Sequence, residues 1–237
     1  MEVMNAIVEA GLAGEEGASV AGLTRKLRKP VVAAANKMVY IHHAPIRVWH
    51  WVNAAAFVVL LLTGVQIRFA GRLNLFSLEE AIHLHNYVGF MVISNYFLWL
   101  LYNLGSGQIR LYLPNPRGMA RKIKEQVVYY TYGIFRGDPN PHQVTPEDKF
   151  NVMQQQTYAI IMFALIPLQM ATGLFLWEIK RFENYINFMG GVRIVNLLHV
   201  SLFFFFAAFL IGHIYLATLG HTPLAHIKAM FTGYEEE

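Results

Sequence analysis

At 237 residues the chain is long enough for one or two soluble domains, yet it is 55% hydrophobic and only 14% charged, where a soluble domain carries roughly 25% charged residues. That balance reads as a membrane protein, and the net charge of +4 comes from the flanks of its apolar stretches rather than from any basic patch interleaved with a nucleic-acid module. The absence of cysteine excludes disulfides, thiolate-held iron–sulfur clusters, thioether-linked haem and Cys-type zinc, so any redox cofactor must sit on histidine or methionine.

Residues 1–41 are rich in Ala and Gly and carry a basic cluster, Arg25, Lys26, Arg28 and Lys29. They contain acidic residues and no apolar run of signal-peptide type before a cleavage site, so they are expected to remain as a cytoplasmic extension. A first span is expected over about Trp49 to Ile67, entered through a turn at Pro45 and edged by Trp49 and Trp51 as an interfacial belt. A short connection over 68–81 leads to a second span, Ile82 to Leu104, which opens with His83-Leu84-His85-Asn86-Tyr87.

The longest connection, 105–150, carries a basic stretch, Arg121-Lys122-Ile123-Lys124, suited to lipid headgroups. Its length suggests a functional or docked loop. Thr145 can cap a helix with Pro146 at its first position, leading into a third span, Tyr158 to Trp177. Pro167 lies inside that span, where a kink is tolerable if a neighbouring group takes up the freed carbonyl. Ala171 and Gly173 permit close helix approach. The fourth span, Ile194 to Leu219, includes the aromatic run Phe203 to Phe206, read as lipid-facing or packing bulk. A tail, 221–237, follows, and no internal repeat is evident.

Each span is long enough to cross roughly 30 Å of hydrocarbon. The expected fold is therefore an all-α integral membrane protein, a four-transmembrane-helix bundle occupying residues 42–220. With four spans, 14 of the 19 Lys and Arg fall on the side of the termini, which predicts both termini in the cytoplasm.

The histidines carry the chemistry. His199 and His213 lie fourteen residues apart in one apolar helix, nearly four turns, so they share a side and stand roughly 21 Å apart along the axis. Histidines at membrane depth need a reason. His50 lies about one turn from the cytoplasmic end of the first span, at the level of His213. His85 lies just below the outer surface on the second span, at the level of His199. A bis-histidine pair at each level suits a low-spin b haem, whose iron takes two axial nitrogens. His83 competes with His85: the two point to opposite sides of their helix, so only one can face the fourth span.

For His42, His43, His83, His142, His221 and His226 an interfacial or capping role is expected. Zinc is disfavoured because no tight i, i+4 histidine pair has a carboxylate near it, and a proton relay leaves the two-level pairing unexplained. At the start of the third span, Asn151, Gln155 and Tyr158 share one face. They either hydrogen-bond a quinone carbonyl or form a snorkelling helix start.

The segments Arg47-Val48-Trp49-His50-Trp51-Val52-Asn53, Leu62-Thr63-Gly64 and Leu84-His85-Asn86-Tyr87-Val88-Gly89, together with the His199 to His213 spacing, resemble the dihaem cytochrome b subunits of membrane-bound nickel–iron hydrogenases and the gamma subunit of formate dehydrogenase-N. Related subunits anchor thiosulfate-type reductases. The resemblance covers about residues 42–220. It implies two b haems, one ligated by His50 with His213 on the cytoplasmic side and one by His85 with His199 on the periplasmic side. The Lys149-Phe150-Asn151 start of the third span is similar to the family's Lys-Tyr-Asn-Ala-Gly-Gln-Lys element, which implies a menaquinone or other quinone site at Asn151 and Gln154. Met153 stands where the family has Gly, and Gln155 where it has Lys.

The function expected is a membrane-anchoring electron-transfer subunit in the cytoplasmic (inner) membrane of a bacterium or archaeon. It would link a periplasmic redox partner to the quinone pool. The partner would be a hydrogenase, a formate dehydrogenase, a sulfur-compound reductase or a multihaem cytochrome, carrying iron–sulfur clusters or several haems. The alternatives are a stand-alone transmembrane b-type carrier and a haem-free transporter or anchor. Short outer loops argue against substrate catalysis by this chain alone.

Overall fold

A computed structural model describes residues 38–72, 77–142, 149–220 and 222–236. Val39–Glu235 form one compact unit. Strand β1 (Met38–Tyr40) pairs with β2 (Tyr234–Glu236) in a two-stranded sheet; the remaining elements are helical.

Helix α1 (Ala44–Arg68) has Pro45 in its first turn, where the missing N–H costs nothing because that donor has no intrahelical partner anyway. Helix α2 (Leu78–Gly105) opens on Ser77. The Ser77 Oγ accepts from the Glu80 amide at 3.2 Å and the Glu80 carboxylate accepts from the Ser77 amide at 3.0 Å, a reciprocal cap that satisfies two of the orphan donors of the first turn. It sets the start of the helix two turns before His85. A 3₁₀ turn (Gln108–Tyr112) and helix α3 (Met119–Val128) follow, the latter running through a π turn, Tyr129–Gly133, to Arg136.

Helix α4 (Val152–Trp177) starts on an Asn151 cap. The expected start at Thr145 and Pro146 lies outside the described residues; the spanning helix itself begins six residues beyond Pro146. In α4 the turn Ile161–Leu165 is π-helical, with the Ile166 amide donating to the Ile161 carbonyl. In that register the next amide, at 167, would serve the Met162 carbonyl, and Pro167 has none. The Tyr96 hydroxyl on α2 donates to Met162 O instead, at 2.9 Å. The expectation that a neighbour takes up the freed carbonyl holds, and the tyrosine does so across a helix interface.

A short helix α5 (Glu183–Phe188) connects to α6 (Val192–Ala217), and α7 (Ala225–Thr232) precedes β2. Among the described residues four helices, α1, α2, α4 and α6, are long and apolar enough to cross a membrane. They run up and down. The start of α1 meets the end of α2, where the Trp49 indole donates to Asn95 O and Trp49 lies 5.7 Å from Trp99, ring centre to ring centre. The end of α1 meets the start of α2 at Thr63 and His85.

The core is Tyr96, Trp99, Ile161, Met162, Leu202 and Phe206, while Leu98, Leu101, Phe204 and Ile211 stay exposed. Apolar side chains on both surfaces are what lipid permits, since hydrocarbon rewards no burial and packing supplies the attraction. The aromatic run of α6 divides accordingly: Phe204 and Phe205 face outward and Phe206 is core.

Helix α7 closes the end of the bundle where α1 starts. The Trp51 indole donates to Met230 O and stacks on Phe231 at 4.3 Å, Arg47 donates to Phe231 O, and the amides of Ile41 and His42 both reach Gly233 O.

Candidate functional site

Two histidine pairs sit inside the bundle. His50 on α1 and His213 on α6 face each other with ring centroids 6.0 Å apart, and His85 on α2 and His199 on α6 do so at 6.3 Å. With metal–nitrogen bonds of about 2.0 Å and ring centres about 1.2 Å behind their nitrogens, two imidazoles facing each other across one metal would stand about 6.4 Å apart. Both pairs match that span. His83 lies on the exposed side of α2, 3.8 Å from Glu79, and stacks on Tyr87, so of the two candidates on this helix it is His85 that meets α6.

Among the described residues no three His, Cys, Asp or Glu side chains gather as a metal-ion site. Each pair therefore supplies two ligands only, and an iron held there needs its remaining four from a planar non-protein group. At the level of His85 and His199 the space fits such a group. A cavity of about 630 Å³ opens between α1, α2, α4 and α6, lined by His85 and His199, by Gly64, Gly89 and Gly173, and by Phe203. The glycines are part of the cradle: a Cβ on Gly173 would stand 3.1 Å from His199 Cε1, and one on Gly64 would stand 3.5 Å from Phe203.

Between the levels lies an aromatic floor. Phe206 is seven residues from each of His199 and His213, about 10 Å from either along the axis, and meets Phe57 of α1 edge to face at 5.7 Å. At the terminal level Phe209 stacks on His213, centroids 5.8 Å apart.

The pair at the far level has polar partners that sequence reading did not identify. Thr63 Oγ1 lies 2.8 Å from His85 Nδ1, and Thr172 Oγ1 lies 3.0 Å from His199 Nδ1; both threonines are buried. Thr63 stood in view as part of Leu62-Thr63-Gly64, but what it touches is set by the approach of α2. Gln169 places its amide nitrogen 3.3 Å from His199 Nε2, and its Oε1 is buried without a hydrogen-bond partner among the described residues.

At the start of α4, Asn151 and Gln154 form a reciprocal cap. Asn151 Oδ1 accepts from the Gln154 amide at 2.9 Å, Gln154 Oε1 accepts from the Asn151 amide at 3.0 Å, and Asn151 Nδ2 donates to the Tyr130 hydroxyl at 3.1 Å. Asn151 is buried and Gln154 exposed. Tyr158, grouped with Asn151 by periodicity, packs on Phe150 at 4.7 Å and on Tyr112 at 6.3 Å.

Outside the spans, His226 Nδ1 lies 3.1 Å from the Glu235 carboxylate, whose hydrogen bond raises the imidazole above its ordinary range against the opposing effect of burial. Burial pushes His42 down to about 4, with Glu235 pulling the other way. His221 lies outside the described residues.

The chain belongs to the prokaryotic cytochrome b561 family, whose model matches residues 41–233. It is 31% identical to the cytochrome YdhU of Escherichia coli strain K12 over 197 residues, 83% of this chain and 74% of that protein. It is 26% identical over 182 residues to the cytochrome b556 subunit of a formate dehydrogenase from Haemophilus influenzae, covering 74% of this chain and 69% of the relative. A shorter match, 61% identical over 28 residues and 12% of each chain, is to a Ni/Fe-hydrogenase B-type cytochrome subunit of Cupriavidus necator.

Proposed function

We propose that this b-type cytochrome of the prokaryotic cytochrome b561 family holds two b haems, one between His50 and His213 and one between His85 and His199. It links a redox partner at the face opposite the termini to the quinone pool. The observation that carries this reading is the pair of facing imidazoles at two levels of one bundle, 6.0 and 6.3 Å between ring centres. Bound there, haem would supply reversible one-electron transfer, held by the imidazoles of His50 with His213 and of His85 with His199. The chain's own part is to orient the imidazoles, to exclude water and to separate the levels with the Phe57–Phe206 floor.

The protein is placed by this reading in the cytoplasmic membrane, termini inside, with residues 42–220 as the dihaem domain, 1–41 as a cytoplasmic extension and 221–237 as a tail. The basic residues concentrated on the side of the termini support that orientation. Quinone, menaquinone or another, is received where α4 starts. The cap occupies the acceptor oxygens of Asn151 and Gln154, so the Gln154 amide nitrogen is the group left to donate to a quinone carbonyl, with Asn151 holding the turn in place. The partner is a redox subunit of the iron–sulfur or multihaem kind; the names of the formate dehydrogenase and hydrogenase relatives support a redox partner.

A haem count tests the assignment. Purified chain should carry two b haems, and His199→Ala should lose one while His50→Ala loses the other. Two b haems persisting in His199→Ala would refute it. A pull-down from native membranes in mild detergent should recover a redox subunit; recovery of the chain alone favours a stand-alone carrier.

A further inference from the structure

Resting on the haem reading above, the geometry points to Thr63 and Thr172 as paired positioning residues, each fixing the tautomer of a ligand histidine on the next membrane-spanning helix. A threonine hydroxyl has one proton to give and lone pairs to receive. Thr63 gives its proton within α1, to Val59 O at 2.8 Å or Leu60 O at 3.2 Å, so toward His85 Nδ1 at 2.8 Å it is an acceptor. Thr172 repeats this on α4, giving to Leu168 O at 2.8 Å or Gln169 O at 3.0 Å and receiving from His199 Nδ1 at 3.0 Å.

A neutral imidazole that donates from Nδ1 carries its lone pair on Nε2. An independent contact agrees: the Gln169 amide nitrogen, which can only donate, faces His199 Nε2 at 3.3 Å. Both ligand nitrogens at this level are thereby Nε2.

Each threonine is followed by a glycine that lies against the same ring, and at Gly173 an added Cβ would crowd it. Added Cβ atoms would lie 3.7 Å from His85 Cε1 at Gly64 and 3.1 Å from His199 Cε1 at Gly173. One Thr-Gly pair per helical hairpin, serving the histidine of the partner helix, is therefore a repeated device in a chain with no visible sequence repeat. The terminal level lacks it: among the described residues no side chain hydrogen-bonds the rings of His50 or His213.

A hydrogen bond from the rear N–H makes a ligating imidazole more basic, which favours the more positively charged iron. With haem bound, the level at His85 and His199 would thus be biased to the lower reduction potential.

The test uses the full chain in mild detergent, with Thr63→Val, Thr172→Val, the serine replacements at both positions, and Thr131→Val on α3 as a control. Redox titration of the α-band and electron paramagnetic resonance of the ferric state are the readouts. In each valine variant the haem lost in His199→Ala should rise in potential by about tenfold in its reduction equilibrium, about 59 mV for one electron, with a changed resonance line. The other haem, and Thr131→Val, should stay put.

Serine should restore the wild-type values. If occupancy falls in the valine variants instead, serine retains the haem when the hydrogen bond matters, and fails to when only side-chain shape matters. Unmoved potentials and lines in both valine variants overturn the inference, as does a shift confined to the haem lost in His50→Ala. A wild-type chain without b haem removes the haem reading itself, so the two failures are told apart.

Discussion

Gly173 and Gly64 stand at equivalent places in the two hairpins and make opposite predictions. The Cβ of Gly173→Ala would stand 3.1 Å from His199 Cε1, against a ring held by Thr172, whereas that of Gly64→Ala meets its nearest neighbour, Phe203, at 3.5 Å. Gly173→Ala is therefore expected to lower haem content toward one per chain and Gly64→Ala to leave two, measured as pyridine haemochrome per mole of protein. Away from the spans, two histidines titrate with opposite sign. His226 is raised by Glu235, so its contribution is complete below the unfolded value of about 6.5 and is lost as pH rises through the raised folded value. His42 is lowered to about 4, so its contribution is complete above about 6.5 and is lost as pH falls from there toward its folded value. Hydrogen exchange of residues 225–232, corrected for intrinsic rate, should be slowest between the two limbs, and Glu235→Gln should flatten the alkaline limb.

At the scale of elements, the interruption in α4 is held from outside the helix. The π turn sends the Ile166 amide to Ile161, Pro167 withdraws the next donor, and Tyr96 of α2 supplies it. Tyr96→Phe keeps the ring and removes the hydroxyl that donates to Met162 O. A buried acceptor left unpaired costs roughly 1–3 kcal/mol in water-soluble proteins, while interhelical hydrogen bonds in membranes average nearer 0.6. With Pro167 closing the intrahelical alternative, a loss of about 1 kcal/mol is expected, read as a lower midpoint of unfolding in mixed micelles. The Asn151 cap acts at the other end of the same helix. Asn151→Ala should fray the first turn at a cost of about 1 kcal/mol, and a rise in the KM for quinone should accompany it, because Gln154 is held through that cap.

At the scale of the whole molecule, the bundle is two antiparallel hairpins, α1 with α2 and α4 with α6, and each histidine pair is completed across them by α6. Helix α7 and the turn after it are then tied to the start of α1 through Trp51, Arg47 and Gly233. Deleting residues 225–237 removes that clamp beside His50 and leaves the far level untouched. The expected outcome is selective loss of the haem assigned to His50 and His213, seen as a single remaining redox component in potentiometry.

The four spans, the common side of His199 and His213, and the matching of His50 and His85 to their levels all follow from the chain itself, because hydropathy measures fitness for lipid and a helix converts sequence separation into angle and height. The need for a neighbour to serve a carbonyl freed near Pro167 and the small residue at Gly173 were legible for the same reason. Other features depend on which helices come within hydrogen-bonding distance, and no local pattern encodes that approach. The choice of His85 over His83, the donation of Tyr96 to Met162, the spending of Asn151 and Gln154 on a cap, and the grip of Thr63 and Thr172 on two imidazoles were decided only when the helices packed.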